Sequence, residues 1–348
     1  MPSKISHGAV LALASATLFG ASTPFAKRLV GELPPVFLAG LLYLGSGAGL
    51  GLFRLVRRGE RGSLSRREMP WLAGAILFGG VLAPVLLMAG LRSTPAAAAS
   101  LLLNLEGVFT ALLAWFVFHE NFDRRIALGM VLIIAGGLVL SWQPNGSFGI
   151  SAGALAVIAA CVCWAIDNNL TQKVSGGDPV TIAATKGSVA GVINLGIALV
   201  MGSAHRPPVA SIGAALLVGL VGYGVSLALF VLALRHLGTA RTGAYFSIAP
   251  FIGAAVAVLL FREPIAPRLA LAGVLMLAGV WLHLTERHQH EHHHERLAHT
   301  HPHVHDEHHQ HEHIEGVDPG EPHTHFHEHA PITHAHPHYP DIHHRHRH

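Results

Sequence analysis

The stretch LRSTPAAAASLLLNLEGVFTALLAWFVFHENFDRR, residues 91–125, recurs without a gap as LRHLGTARTGAYFSIAPFIGAAVAVLLFREPIAPR, residues 234–268, at an offset of 143 residues. Leu91-Arg92 aligns with Leu234-Arg235, Phe118 and Glu120 with Phe261 and Glu263, and Arg125 with Arg268. The match runs on through Val131-Leu132 and Ala135-Gly136, against Val274-Leu275 and Ala278-Gly279. Weaker correspondences pair Leu18-Phe19-Gly20 with Cys163-Trp164-Ala165, and Pro34 with Pro179. The chain is a duplication, and a structural reading of one copy applies to the other.

Up to Arg287 both copies consist of apolar runs split by short polar joints. The whole chain is 51% hydrophobic and 12% charged, against about 25% charged in soluble domains. A helix of about 20 apolar residues crosses a hydrocarbon core roughly 30 Å thick. Ten such runs are expected near residues 7–29, 35–53, 70–91, 95–118, 125–142, 151–172, 179–202, 210–234, 239–261 and 267–285. The reading is an all-α integral membrane protein with ten transmembrane helices. Residues 1–147 and 148–287 would form two five-helix repeats, followed by a tail over residues 288–348. An odd number of spans per repeat makes the second copy enter the membrane upside down. Inverted repeats mark secondary transporters, whose substrate sites lie near the midplane between the halves.

Basic residues give the expected orientation, because short loops rich in lysine and arginine stay cytoplasmic. One set of joints holds Lys4, Arg54, Arg57, Arg58, Arg61, Arg66, Arg67, Arg124, Arg125, Lys173, Arg235 and Arg241. The opposite set holds Lys27, Arg28, Arg92, Arg206, Arg262 and Arg268. Both termini are therefore expected in the cytoplasm, at a plasma or bacterial inner membrane. Ala14-Ser15-Ala16 resembles a signal cleavage site, but the apolar run continues past it and a related segment recurs mid-chain. The basic residues are spread over loops, which argues against a nucleic-acid partner. No phosphate-cradling glycine motif, nucleophile elbow or zinc-protease spacing occurs in the helices, so neither ATP-driven transport nor an enzyme is supported.

Polar residues inside a span normally face a cavity or a partner. Glu106 lies halfway along the fourth expected span and suits a proton carrier or a contact to a cationic group; a helix-tying hydrogen bond is the structural alternative. Asn104 is two residues away and faces elsewhere on a helix. Asp167, Asn168 and Asn169 end the sixth span and either line a pathway or mark the helix end. Lys186 lies about two turns into the seventh span; Asp167 is its plausible partner, and a substrate anion is the alternative. Asn194 shares its face. Phe19 and Trp164 hold equivalent repeat positions and either flank the pathway or pack. Tyr245, with His236 and Arg241, starts the ninth span near a vestibule. Glu120 and Glu263 are expected to pair with Arg125 and Arg268. Gly45, Gly47, Gly49 and Gly51, and Gly187 with Gly191, have spacings that let helices approach closely, within the chain or in a homodimer. Cys161 and Cys163 are spaced for a soft metal but are also ordinary small core residues.

Ala89-Gly90-Leu91-Arg92-Ser93-Thr94-Pro95-Ala96-Ala97, Asn104-Leu105-Glu106-Gly107-Val108-Phe109 and His119-Glu120 resemble the EamA domain of the drug/metabolite transporter superfamily. Ala233-Leu234-Arg235-His236-Leu237, Ala249-Pro250 and Arg262-Glu263-Pro264 resemble it in the second copy. The resemblance covers about residues 7–285 and leaves out the tail. Gly107 stands where family members usually have proline, while the second copy keeps Pro250. The resemblance implies two inverted five-helix halves around a central path for small metabolites.

The segment from His288 to His348 carries 24 of the chain's 29 histidines. Its composition cannot bury a core, so disorder without metal is expected. Histidine is the commonest metal ligand. The candidate ligands are His290, His292, His293, His294, His299, His301, His303, His305, His323, His325, His327 and His329, for zinc, nickel, cobalt or copper. Protons compete for the same nitrogens near pH about 6.5, so pH sensing is a second use. No cofactor is required for transport itself. Three functions follow: a secondary transporter of a small metabolite with a metal-binding or pH-sensing tail; a divalent metal ion transporter fed or regulated by that tail; and a membrane-anchored metal store or sensor.

Overall fold

The protein is described by a computed structural model over residues 7–56, 66–118, 124–142, 150–174, 178–202, 207–284, 289–294, 297–303, 323–329 and 332–337. Helices start where a cap or a proline allows it. Ser151 accepts from the Ala154 N–H at 3.1 Å to open α8 (Ala152–Gln172). Asp178 accepts from the Thr181 N–H at 3.0 Å to open α9 (Pro179–Val200), with Pro179 in the first turn. The first half contains α1 (His7–Val30), α2 (Pro35–Val56), α3 (Met69–Ala75), a π-helical segment π1 (Ile76–Leu82), α4 (Ala83–Ser93), α5 (Ala96–Leu102), α6 (Asn104–Phe118) and α7 (Arg124–Ser141). The second half contains α8, α9, α10 (Val209–Val218), π2 (Gly219–Val225), α11 (Ser226–Phe246), α12 (Ala249–Phe261) and α13 (Pro267–Leu284). The two π segments begin and end 143 residues apart, which is the offset of the sequence repeat.

Among the described residues seven helices are long and apolar enough to cross a membrane, and three shorter apolar helices accompany them. Two sequence expectations differ from this pattern. The fourth span is broken at Leu103 into α5 and α6, with the Asn104 side chain donating to the Leu101 carbonyl at 2.9 Å. The joint expected between residues 234 and 239 is absent, because α11 runs through it to Phe246. Pro95 ends the corresponding helix in the first half; it has no N–H and its ring clashes with the preceding turn. Gly238 holds that place in the second copy and keeps its N–H, so the helix continues. The break comes instead at Ser247–Ile248, ahead of Pro250 in the first turn of α12.

The halves pack in matched pairs. α1 lies against α11 and α12, while α8, its counterpart, lies against α4 and α6. α2 packs on α9, and α7 on α13. Close approach depends on glycine where helices cross. A Cβ on Gly20 would run into the Ala249 backbone, and one on Gly47 into the backbone of Gly187 and Ser188. Gly45 and Gly191 also pack within the chain, against Leu216 and Leu44. Leu138, Val192, Leu199, Val200, Leu259, Val274 and Trp281 are exposed. That much outward apolar surface suits lipid, since soluble monomers rarely display large apolar patches.

Arg287–His348 forms a separate compact unit. Four extended segments are described in it: β1 (Gln289–His294), β2 (Leu297–His303), β3 (His323–His329) and β4 (Ile332–Pro337). β1 pairs with β4 and β2 with β3, both antiparallel. The sequence reading expects no regular structure there. His-x-His repeats every two residues, which is the strand period, and this signal is independent of the low hydrophobicity on which the expectation of disorder rests. His305 lies outside the described residues.

Candidate functional site

Pro84 organises the centre of the first half. It cannot donate a backbone hydrogen bond, and the Ala83 N–H is directed to the Phe78 carbonyl. The carbonyls of Gly79 and Gly80 thus lose their ordinary helical donors, an expensive state for a group in hydrocarbon. Other helices supply the missing donors. Tyr43 on α2 donates its hydroxyl to Gly79 O at 2.5 Å, and Trp164 on α8 donates its ring N–H to the same oxygen at 3.1 Å. Asn194 on α9 donates to Gly80 O at 3.1 Å. Its own Oδ1 is buried and accepts no hydrogen bond among the described residues.

Next to this carbonyl pair is an ion pair. Lys186 on α9 contacts Asp167 Oδ2 on α8, and Thr171 donates to Asp167 Oδ1 at 2.9 Å. A Cβ on Gly79 would collide with the same carboxylate, so Gly79 gives the acid its room. Asn168, one residue on, projects from α8 to the other half. Its amide donates to Glu106 Oε1 at 2.8 Å and reaches Thr110 Oγ1 at 3.4 Å. Thr110 in turn donates to the Glu106 backbone carbonyl at 2.8 Å. Asn168 is exposed and Glu106 half-buried.

A group of aromatic rings continues from Trp164. Phe19 meets Trp164 edge-on at 6.4 Å between centroids, Tyr223 at 5.9 Å and Phe246 at 5.4 Å. Tyr223 also meets Tyr43 at 5.6 Å, and Phe246 meets Phe230 at 4.9 Å. Tyr43, Trp164 and Tyr223 are buried and Phe19, Phe230 and Phe246 half-buried, so the rings form one packed cluster.

The sequence candidates divide accordingly. Glu106, Asp167, Asn168, Lys186, Asn194, Phe19 and Trp164 join this connected set. Asn169 turns back to its own helix, donating to Ala165 O at 2.8 Å. Tyr245 is half-buried, and its neighbour Phe246 is the one that reaches Phe19. Asn104 meets Met276 on α13 at 3.8 Å besides its contact to Leu101. Glu263 does not pair with Arg268: its two oxygens accept from the backbone N–H groups of Ala96 and Ala97 at 2.8 and 2.9 Å. Glu120 lies outside the described residues. Tyr43, Tyr223, Phe230, Phe246, Thr110 and Thr171 escaped the sequence reading, because aromatic and threonine residues in apolar spans look like ordinary packing. Pro84, four residues after Gly80 and five after Gly79, was the available signal for the orphaned carbonyls. Cys161 is buried with its thiol near Leu102 O at 3.6 Å, and both cysteines are free. No group of three or more metal-ligating side chains converges among the described residues.

Residues 6–142 and 151–285 each match the EamA-like transporter family. An uncharacterized transporter of Methanothermobacter thermautotrophicus is 30% identical over 79% of this chain and 85% of its own length. A protein of Salmonella typhimurium named "Probable amino-acid metabolite efflux pump" is 26% identical over 79% of this chain and 93% of its own length. A solved crystal structure, 20% identical, superimposes with a TM-score of 0.61 over 81% of this chain and 99% of its own; this likeness concerns the fold alone. The two matched stretches take in nearly all of the helical part, and the chain belongs to the EamA-like transporter family of integral membrane proteins.

Proposed function

We propose that this membrane transporter is a secondary active carrier that moves a small metabolite by alternating access between two inverted five-helix halves. The observation that carries the reading is the Glu106–Asn168 hydrogen bond, which joins α6 of one half to α8 of the other at 2.8 Å. A group bound by this carboxylate touches both halves, so relative motion of the halves changes its surroundings. Glu106 suits a proton or a cationic group, and the half-buried rings of Phe19 and Phe246, packed on Trp164 one turn before Asn168, suit an apolar body. The name of the Salmonella relative makes amino-acid-derived metabolites the first class to test. Asp167 is engaged by Lys186 and Glu106 by Asn168, so the two carboxylates of the spans hold separate partners. This arrangement ranks metabolites above divalent metal ions as cargo.

The tail is proposed to bind zinc, nickel, cobalt or copper in the cytoplasm. Its register sets His290 opposite His336, His292 opposite His334, His299 opposite His327, His301 opposite His325 and His303 opposite His323. Such a tail modifies or feeds a pathway without forming it.

The test is flux into vesicles for a panel of amino acids and their metabolites, and for nickel, cobalt and zinc. Full-length protein is compared with a truncation after Arg287 and with Glu106→Gln. Metabolite flux that survives truncation and is lost in Glu106→Gln is expected. Metal flux that survives truncation but not the Glu106 change would sink the metabolite reading.

A further inference from the structure

At one end of the bundle the two halves are tied by several contacts. Glu263, just past α12, accepts from Ala96 and Ala97 at the start of α5. Ser211 donates to Glu32, Phe25 meets Phe261 at 5.9 Å, and Arg268 reaches Trp142 O at 3.5 Å. Lys27 donates to the carbonyls of Leu91 and Arg92 at the end of α4, beside the same turn. We propose that Glu263 is the lock of this end, holding the pathway shut here and releasing α5 when the path opens to this side. The inference rests on the two-sided access proposed above.

Three observations single out Glu263 among these contacts. α5 begins behind Pro95, which offers no side-chain cap, so its first N–H groups need an acceptor from elsewhere. Ala96 and Ala97 are buried, so water does not supply it in this state. Arg262 adopts a left-handed conformation with φ 53°, the one positive φ at a non-glycine among the described residues. That turn ends α12 and directs the next side chain back across the interface; backbone held in this region normally depends on the surrounding structure. A carboxylate on two backbone N–H groups is a favourable pairing at a helix start. It is also exchangeable: once the end opens, water satisfies both the acid and the N–H groups. A lock of this kind holds one state without making the other prohibitive.

The experiment uses full-length protein with Cys161 and Cys163 replaced by alanine and Thr110→Cys, half-buried beside Asn168 in the site, as a reporter. A membrane-impermeant maleimide is applied from the side carrying Pro95, using cells and inside-out vesicles to separate the two sides. Glu263→Ala is expected to raise the labelling rate at least about tenfold, as loss of two charge-assisted hydrogen bonds shifts the closed–open balance. Glu263→Gln, which keeps one acceptor, should raise it less. An unchanged rate in Glu263→Ala overturns the proposal. The second arm keeps the lock closed: Ala97→Cys with Glu263→Cys is bridged by a short reducible bis-thiosulfonate, and flux of a radiolabelled amino-acid mixture is followed. Flux that stops on bridging and returns on reduction supports the lock, while flux through bridged protein overturns it. This arm decides if Glu263→Ala fails to fold. If the parent carries no flux but labelling responds to Glu263→Ala, the transport reading fails and the lock stands.

Discussion

Removing either partner of the Lys186–Asp167 pair should destabilise the bundle far more than removing both. The side chains are only 11% and 6% exposed, and the remaining Asp167 oxygen is held by Thr171 at 2.9 Å. Lys186→Met leaves a carboxylate in a site built for a neutral pair. Asp167→Ala leaves an ammonium with no other salt-bridge partner among the described residues. Stripping one partner from a buried pair costs about 3–5 kcal/mol, a factor of roughly a hundred to several thousand in the folding equilibrium. The double replacement removes both charges, and apolar substitutes for buried pairs are often close to neutral. The two singles and the double therefore form a cycle with a coupling energy of about 3 kcal/mol or more. The assay is equilibrium unfolding in mixed micelles of mild detergent and dodecyl sulfate, followed by helical circular dichroism. Singles that each cost under about 1 kcal/mol, or a double equal to their sum, would refute the assignment of this pair as a buried, mutually dependent element.

The remaining predictions concern the π segment, the carboxylate and the tail. Asn194→Ala strips Gly80 O of its donor and should cost about 1–3 kcal/mol in the same unfolding assay. In a Pro84→Ala background the helix regains an N–H, so the Asn194 change should cost measurably less; equal costs in both backgrounds would disprove the orphan-carbonyl account. Glu106→Gln should leave the melting temperature nearly unchanged, since the amide still accepts from Asn168, while flux falls at least about tenfold if the carboxylate binds the cargo or a proton. Truncation after Arg287 should abolish binding of zinc and nickel by calorimetry and leave the unfolding of the helical part unaltered. In full-length protein that binding should weaken as pH falls through about 6.5, where protons occupy free imidazoles.

The fold was legible because lipid imposes a coarse and repetitive pattern. Each span advertises itself as a run of apolar residues, and the gap-free duplication from Leu91 to Arg268 supplies the internal relation. Helix interruptions were harder to read. Pro95 is an unambiguous stop, but its counterpart Gly238 permits either a joint or a continuous helix, and α11 takes the second course. At the site, charged residues in apolar runs stood out because burying them is costly: Glu106, Asp167 and Lys186 were found that way. The partner of Glu263 was not found, because it is a pair of backbone N–H groups and leaves no side-chain signature. Tyr43 and Tyr223 were missed for a related reason. The residues they serve or touch come together only after four helices have packed.

The duplication also says where function should reside, because the two halves use the same contacts with different chemistry. Gly79 in the first half approaches Asp167, and its repeat equivalent Gly222 approaches Ser22. These are matching crossings of a third span against a first, with an acid in one and a hydroxyl in the other. Trp164 and Phe19 form another matched pair, and they meet each other at 6.4 Å. Glu106, by contrast, corresponds to Ala249, a position with no polar side chain. A symmetric scaffold needs glycines and aromatics at both places, and it has them. The charges sit at one member of each pair only. Packing demands explain residues that are repeated; they do not explain an acid that costs free energy in one half and is dispensed with in the other. We propose on this ground that the asymmetric set of Glu106, Asp167, Asn168 and Lys186 serves cargo or coupling, carried on the repeated frame of Gly79 with Gly222 and Phe19 with Trp164.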